Sequence, residues 1–302
     1  MTDSTVGLRR KISGAGDLQS VVRTMKAVAA SSIEQYDNSV RALENYYRTV
    51  ELGLIACFRS SGIGSLPVNG EGPRDVRPVG AVVFGSDQGL VGQFNDIVTD
   101  FAIASLASLG GQQQIWAVGE RVQERLENAG LTLMGTFPVP GSVKAITPLV
   151  GRILVEAETG HGETQITELH LFYNHPTGGA VYEPVHQQLL PLDARWQRQL
   201  AERPWPTRNL PQVMDHGNTT LRALVREYLF VSLFRSCAES LASENASRLS
   251  AMQRADKNID ELLEDMNGTF HRLRQSGIDE ELSDVLSGFE ALGGANRPGS
   301  GF

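Results

Sequence analysis

The sequence predicts an α/β fold class, a long antiparallel coiled coil of N- and C-terminal helices with a small central Rossmann-like α/β domain. Three observations predict it. Both ends carry apolar residues at alternating three- and four-residue steps, over stretches longer than a globular helix needs. The middle switches to short apolar strands alternating with amphipathic helices, and Ser-, Gly- and Pro-rich stretches mark the changeovers. The expected division is a helix over residues 1–58, an α/β domain over 76–200, a second helix over 217–292 and a flexible tail over 293–302.

The first helix is read from Leu8, Ile12, Ala15, Leu18, Val22, Met25, Ala29, Ile33, Tyr36, Val40, Leu43, Tyr47, Val50 and Leu54. A helix over 55 residues reaches roughly 80 Å. Stretch 59–75 then reads as a linker. Val79-Gly-Ala-Val-Val-Phe is a buried strand, Asn95 to Leu109 a helix, Gln114 to Val118 a strand, and Glu120 to Ala129 a helix stopped by Gly130. Lys144 to Ala157 reads as a helix, and Ile166 to Tyr173 and Val181 to Leu190 as strands. Stretch 203–217, with three prolines, connects to the last helix. That helix carries Leu221, Leu224, Tyr228, Val231, Ala238, Ala242, Leu249, Met252, Ile259, Leu263, Met266, Phe270 and Leu273, with Arg235, Asn245 and Asp256 as polar intrusions in the seam.

Composition narrows the function classes. With 41% hydrophobic and 21% charged residues, the 302-residue chain is neither disordered nor a disulfide scaffold. No apolar run approaches the ~20 residues that cross a bilayer, and no signal or transit segment stands at the N-terminus, so the chain is expected to stay where it is made. Cys57 and Cys237 lack the spacing of a metal or redox motif and read as reduced thiols. A net charge of -8 without a basic stripe argues against a nucleic-acid partner. The cationic exception is Arg9-Arg10-Lys11 followed by Arg23 and Lys26.

Candidate chemistry is sparse. The loop Gly85-Ser-Asp-Gln-Gly-Leu-Val-Gly-Gln-Phe-Asn95 leaves a strand and opens a helix, where a dinucleotide would sit, but its glycines at 85, 89 and 92 miss the G-x-G-x-x-G spacing. Without a Gly-Lys dipeptide there is no Walker A loop, and Ser86 is not in a nucleophile elbow. Gly85, Ser86, Asp87 and Gly89 therefore read as a structural turn. His161, His170, His175, His186, His216 and His271 show no metal-ligand spacing. The acidic run Asp256 to Asp265 reads as a solvated helix face.

The helices carry recognisable text. Leu8-Arg-Arg-Lys-Ile-Ser and Met25-Lys-Ala-Val-Ala-Ala-Ser resemble the N-terminal helix of the gamma subunit of F-type ATP synthases. Leu241-Ala-Ser-Glu-Asn-Ala-Ser-Arg-Leu-Ser-Ala-Met and Arg274-Gln-Ser-Gly-Ile-Asp-Glu-Glu-Leu-Ser-Asp-Val-Leu-Ser-Gly resemble its C-terminal helix, and Gly85 to Asn95 its Ser-Asp-x-Gly-Leu-x-Gly-x-x-Asn segment. Ser20, Val91-Gly-Gln-Phe, the stretch Thr207 to Gly217 and the tail Arg297 to Phe302 depart from the family pattern.

The resemblance implies a central-stalk rotor that couples ion flow through the membrane ring to ATP synthesis or hydrolysis in the surrounding subunits. It implies alpha and beta catalytic-ring subunits, an epsilon subunit and a membrane c-ring as partners, and no cofactor of its own. It also implies peripheral attachment, through those partners, at the cytoplasmic face of a bacterial plasma membrane. Carried over position by position, Arg23, Met25 and Lys26 fall where the rotor meets the moving levers of the catalytic subunits. Arg274 and Gln275 fall at a catch loop, and Arg248 at a position tied to coupling. Read from the residues alone, a stand-alone coiled-coil scaffold and a nucleotide-dependent enzyme built on the central domain both stay open.

Overall fold

Val79 to Phe84 has no polar side chain on either face, the mark of a strand covered on both sides. In the computed structural model it is the centre of a five-stranded sheet. The structure describes residues 2–61, 78–159, 166, 168–178, 181–192, 194–209, 211–213 and 218–294. Most of the expected linker 59–75, residues 214–217 of the second linker, the tail from 295 onward, His161 and His216 lie outside them.

In chain order the elements are α1 (Thr2–Ser61), β1 (Pro78–Phe84), α2 (Phe94–Leu109), β2 (Gln112–Val118), α3 (Glu120–Asn128), β3 (Leu133–Phe137), α4 (Val143–Thr159), β4 (Glu168–Gly178), β5 (Val181–Leu190), α5 (Ala194–Ala201) and α6 (Asn218–Gly294). The sheet order is β3-β2-β1-β4-β5, with β5 alone antiparallel to its neighbour. The fold class is thus the predicted one, a mixed sheet in the middle and one long helix from each end of the chain. The sequence signalled neither β3 nor α5. The strand Leu-Met-Gly-Thr-Phe is short, glycine-interrupted and only half-buried, and α5 is a two-turn helix.

The residues divide into two compact units, Met1–Ala27 with Met252–Phe302, and Val28–Ala251. In the second, the strand alternation sorts side chains to two cores. Ala81, Val83, Ile115, Ala117 and Phe172 pack under α2 and α3 against Val98, Leu106, Val122 and Leu126. Val82, Phe84, Trp116, Val118, Leu169 and Leu171 face the other way, onto Ile146, Val150 and Ile153 of α4, Tyr36 of α1 and Leu233, Ala238 and Leu241 of α6. A third cluster joins Leu54 and Phe58 of α1 to Leu192, Leu200 and Trp196 near α5 and Tyr228 of α6. Phe58 meets Trp196 edge-on at 6.0 Å, and Tyr47 meets Tyr228 at 5.8 Å. Both cysteines are buried free thiols, and burial pushes each thiol pKa up.

In the first unit the helices pair antiparallel: Gln19, Arg23 and Lys26 of α1 meet Asp256 and Asp260 of α6, while Thr5, Val6 and Arg9 lie beside Phe270 to Ile278. Val22, Met252 and Ile259 are buried. One seam position differs from the sequence reading. Leu18 is 55% exposed and Gln19 is buried, because the Gln19 amide reaches both Asp256 and Asp260. Both helices run unbroken through their glycines, Gly14 and Gly16 in α1 and Gly268 and Gly277 in α6.

One polar pair, a buried His170 against a more exposed His186, sits on the α2 side of the sheet. His170 Nδ1 and His186 Nε2 lie 2.8 Å apart, His186 stacks on Phe172 at 4.8 Å, and the Glu168 carboxylate is 3.5 Å from His170 Nε2. Burial, then the neighbouring His186, lowers the His170 pKa against the opposing pull of Glu168, and burial lowers that of His186. The unfolded chain therefore takes up protons near pH 6.5 that the folded chain refuses, so this pair's contribution to stability is full above that pH and falls as pH drops through it. Urea unfolding of the full chain is expected to show a lower midpoint at pH 5.5 than at 7.5. The drop should shrink in His186→Phe, and an equal drop in both proteins would refute the assignment.

Candidate functional site

The loop after β1 is built by its own polar groups. Ser86 N–H donates to Asn95 Oδ1 at 3.0 Å, Asn95 Nδ2 returns a bond to Ser86 Oγ at 2.8 Å, and Ser86 Oγ donates to the Gln88 carbonyl. Asp87 accepts the backbone N–H of Glu120 at 3.1 Å and of Val139 at 2.9 Å, tying the starts of α3 and of the segment after β3 to β1. Gly85 has no room for a side chain, whereas Gly89 faces open space. The two glycines of one motif thus do different things.

In a doubly wound sheet a ligand sits at the carboxyl ends of the strands where the order reverses, here between β1 and β4. Asn174 on β4 donates to the Phe94 carbonyl at 2.9 Å, and Ser247 of α6 donates to the Val91 carbonyl. The groove beside it, between α2 and α3, contains Arg121 and Arg125, but these pair with Glu124 and Asp96. The side chains of Ser86, Asp87, Asn95, Arg121 and Arg125 are thus engaged with the chain itself.

Arg248 lies in the same unit, on α6 one turn after Glu244, and donates to Glu244 Oε1 at 2.7 Å. Glu244 is 4% exposed. Burial raises its carboxyl pKa, Arg248 lowers it and Asp87 adds to the rise. Asp87 and Arg248, far apart in sequence, line one cavity.

Arg23, Met25 and Lys26 occupy one turn of α1 in the other unit. Arg23 Nε and Lys26 Nζ both donate to Asp256, at 3.0 and 2.8 Å, and Arg23 also reaches Asp260. The hydrogen bond from Lys26, joined by Arg23, holds the Asp256 carboxyl below its usual range. Asp256 is therefore half-buried and does not belong to the solvated face that the acidic run suggested, while Asp260, Glu261, Glu264 and Asp265 stay exposed as expected. Asp256 and Asp260 are the anionic side of a cross-helix cluster. The signal was available, since Arg23 and Lys26 are spaced i,i+3 and Asp256 and Asp260 i,i+4.

Arg274 and Gln275 are exposed on α6. Arg274, Arg9, Phe270 and Ile278 line a groove of about 500 Å³ with Glu280, Glu281 and Asp284. From Ile278 at the groove onward, Ile278, Leu282, Val285, Leu286 and Phe289 are exposed, Phe289 at 78%, and their spacing of four, three, one and three puts them on one helix face. Such a face is what a partner covers. Among the described residues no helix is long and apolar enough to cross a membrane.

Known proteins resemble the chain over nearly its whole length. The family model described as ATP synthase matches residues 4–292. The ATP synthase gamma chain of Legionella pneumophila is 23% identical over 289 residues, covering 94% of this chain and 98% of that one. The gamma chain of Desulfitobacterium hafniense is 26% identical over 292 residues, with the same coverage. Among solved structures, a chain of the Euglena gracilis mitochondrial ATP synthase OSCP/F1/c-ring assembly superposes with a TM-score of 0.67 at 16% identity, covering 99% of this chain and 98% of that one. A chain from the central stalk and c-ring of the Tetrahymena thermophila mitochondrial enzyme superposes at 0.56 and 23% identity, covering 78% and 99%. With the family match spanning nearly its whole length and gamma chains as its curated relatives, this chain belongs to the ATP synthase gamma family.

Proposed function

We propose that the chain is the central-stalk rotor subunit of a rotary F-type ATP synthase, coupling ion flow through a membrane ring to ATP synthesis or hydrolysis in the subunits around it. The observation that carries this reading is the bare apolar face of α6 from Ile278 to Phe289. A helix that leaves such a face in water is incomplete without a surrounding partner. The self-engaged loop at Gly85 to Asn95 supports placing the ATP chemistry in other subunits.

In this reading the alpha and beta subunits surround the unit that contains Arg23, Met25, Lys26, Arg274 and Gln275, while the epsilon subunit and the c-ring meet the unit that contains the sheet. The protein is then held peripherally at the cytoplasmic face of a bacterial plasma membrane. Arg23 and Lys26 keep N–H donors beyond those given to Asp256 and Asp260, so both can also meet the levers of the catalytic subunits. Each rotational position brings cationic, acidic or apolar surface to a given catalytic subunit, and the difference in contact energy biases that subunit between open and closed states.

The test is purification of the full chain from its native host under gentle conditions. Recovery in a complex with a ring of alternating nucleotide-binding subunits is the expected result. A partner-free monomer would overturn the reading, and a symmetric homodimer by ultracentrifugation would favour a coiled-coil scaffold instead.

A further inference from the structure

Glu244 and Arg248 do not satisfy each other completely. Arg248 donates to Glu244 Oε1, but Glu244 Oε2 and Arg248 Nε are buried and have no hydrogen-bond partner. Polar atoms left in this state are costly, and more so on charged groups, so a native site that holds them is expected to have a guest. Both side chains line a cavity of about 210 Å³ together with Ser32 and Tyr36 of α1 and with Asp87 and Gln88 of the loop after β1. Gln88 is exposed and Ser32 half-buried, which places the mouth on their side.

The size and charge of the cavity select the guest. Nucleotide-sized ligands occupy about 300–1,000 Å³, so this one is fitted to the head of a single long side chain. Two carboxyl groups, of Asp87 and Glu244, share the lining with one guanidinium, that of Arg248, so with both carboxyls ionised the lining carries an excess of one negative charge. Burial, with a smaller push from Asp87, raises the Glu244 carboxyl pKa against the pull of Arg248, and a second cation seated beside it would add to that pull. No group of three His, Cys, Asp or Glu residues that could hold a metal ion exists among the described residues, which argues for an organic cation over a polyvalent metal.

We propose that this cavity is a socket for a lysine or arginine side chain of a neighbouring protein chain, whose charged head donates a hydrogen bond to Glu244 Oε2. The inference rests on the proposed function, which supplies neighbouring subunits. It adds a specific recognition site in the sheet-containing unit, where a cation from outside completes a buried Glu–Arg pair. The bond would be charge-assisted on both sides and out of reach of most water, the setting in which such pairs contribute most.

The experiment has two arms. The first is a high-resolution cryo-microscopy map of the complex that co-purifies with the full chain. A lysine or arginine head of another subunit within hydrogen-bond distance of Glu244 Oε2 is the expected result. Water, an inorganic ion, a residue of this same chain, or an empty cavity would overturn the proposal while leaving the rotor reading intact. The second arm measures the dissociation constant of the chain from its partner complex for Glu244→Gln, which removes the charge at constant shape, and for Ser32→Leu, which narrows the socket without touching any charge. A rise of tenfold or more in both is expected, and an unchanged constant in Ser32→Leu overturns the proposal even where Glu244→Gln folds poorly. If the chain recruits no partner at all, this inference and the reading beneath it fail together.

Discussion

Reversing the charge at Arg274 is expected to leave the chain assembled with its partners while lowering the number of ions pumped per ATP hydrolysed. The expected loss is about tenfold, the worth of one charge-assisted hydrogen bond. The cross-helix contacts of its unit include Gln19, Arg23 and Lys26 with Asp256 and Asp260, and its buried apolar groups include Val22, Met252 and Ile259. Arg274 is exposed, so Arg274→Glu removes no buried contact and is expected to cost little fold stability. What changes is the groove it shares with Arg9, Glu280, Glu281 and Asp284, which passes from mixed charge to almost wholly acidic. On the proposed function, a catch loop that meets Arg274 would then meet repulsion instead. Ending the chain after Arg274 removes Gln275 and the exposed stripe together and should uncouple further. Inverted membrane vesicles that report ion uptake and ATP hydrolysis together check both variants, and an unchanged ratio would remove Arg274 and Gln275 from the coupling surface without touching the fold.

How much of this could be read from the sequence varies with the kind of interaction. Burial by periodicity was legible: Val22, Ala29, Tyr36, Val50 and Leu54 on α1, and Leu221, Tyr228, Val231, Met252 and Ile259 on α6, are buried at the positions their spacing gives. So was the two-faced burial of β1, from its unbroken apolar run. Periodicity failed where a polar side chain won a seam position through a long-range bond. Gln19 displaces Leu18 because its amide has two carboxylates to reach, and those lie more than two hundred residues away in sequence. Glu244 escaped notice for the same reason, since the loop that brings Asp87 to it is distant in the chain. Short elements were lost for another reason: β3 has five residues and α5 eight, too few to repeat a period convincingly.

The cluster of Arg23, Lys26, Asp256 and Asp260 has a consequence for specificity. A seam built only of apolar residues tolerates sliding by a heptad, whereas two cations facing two carboxylates fit in one register. Asp256 is the seam intrusion here, and it receives hydrogen bonds from both Arg23 and Lys26. The same cations that the family resemblance assigns to partner contact thus also fix α1 against α6 in their unit. A substitution at Lys26 would alter helix register and partner contact together, which makes it a poor probe of either. Arg274, with no such bond among the described residues, is the better one.

Gly85→Ala is expected to destabilise the sheet-containing unit by about 3 kcal/mol or more, the upper part of the range for overpacked cores. A Cβ at Gly85 would stand 1.9 Å from Val122 Cγ2, 2.8 Å from Val122 Cβ and 2.9 Å from Asn95 Oδ1. None of the three can retreat. Val122 is fully buried on α3 and stiff at χ1 through its β-branch, and Asn95 Oδ1 accepts the Ser86 N–H in the loop's closing pair. Gly89, four residues on in the same motif, has nothing within 4 Å of its would-be Cβ, so Gly89→Ala should stay within about 0.5 kcal/mol of the parent. Urea unfolding of both variants separates the two roles, with a midpoint drop of about 1 M or more expected for Gly85→Ala alone. Adding Val122→Ala to Gly85→Ala should recover part of the loss, because the Val122 side chain makes the closest contact. Equal behaviour of the two glycine variants would mean that the loop yields as a whole, and that the close approach of β1 to α3 at Gly85 does not hold this turn in place.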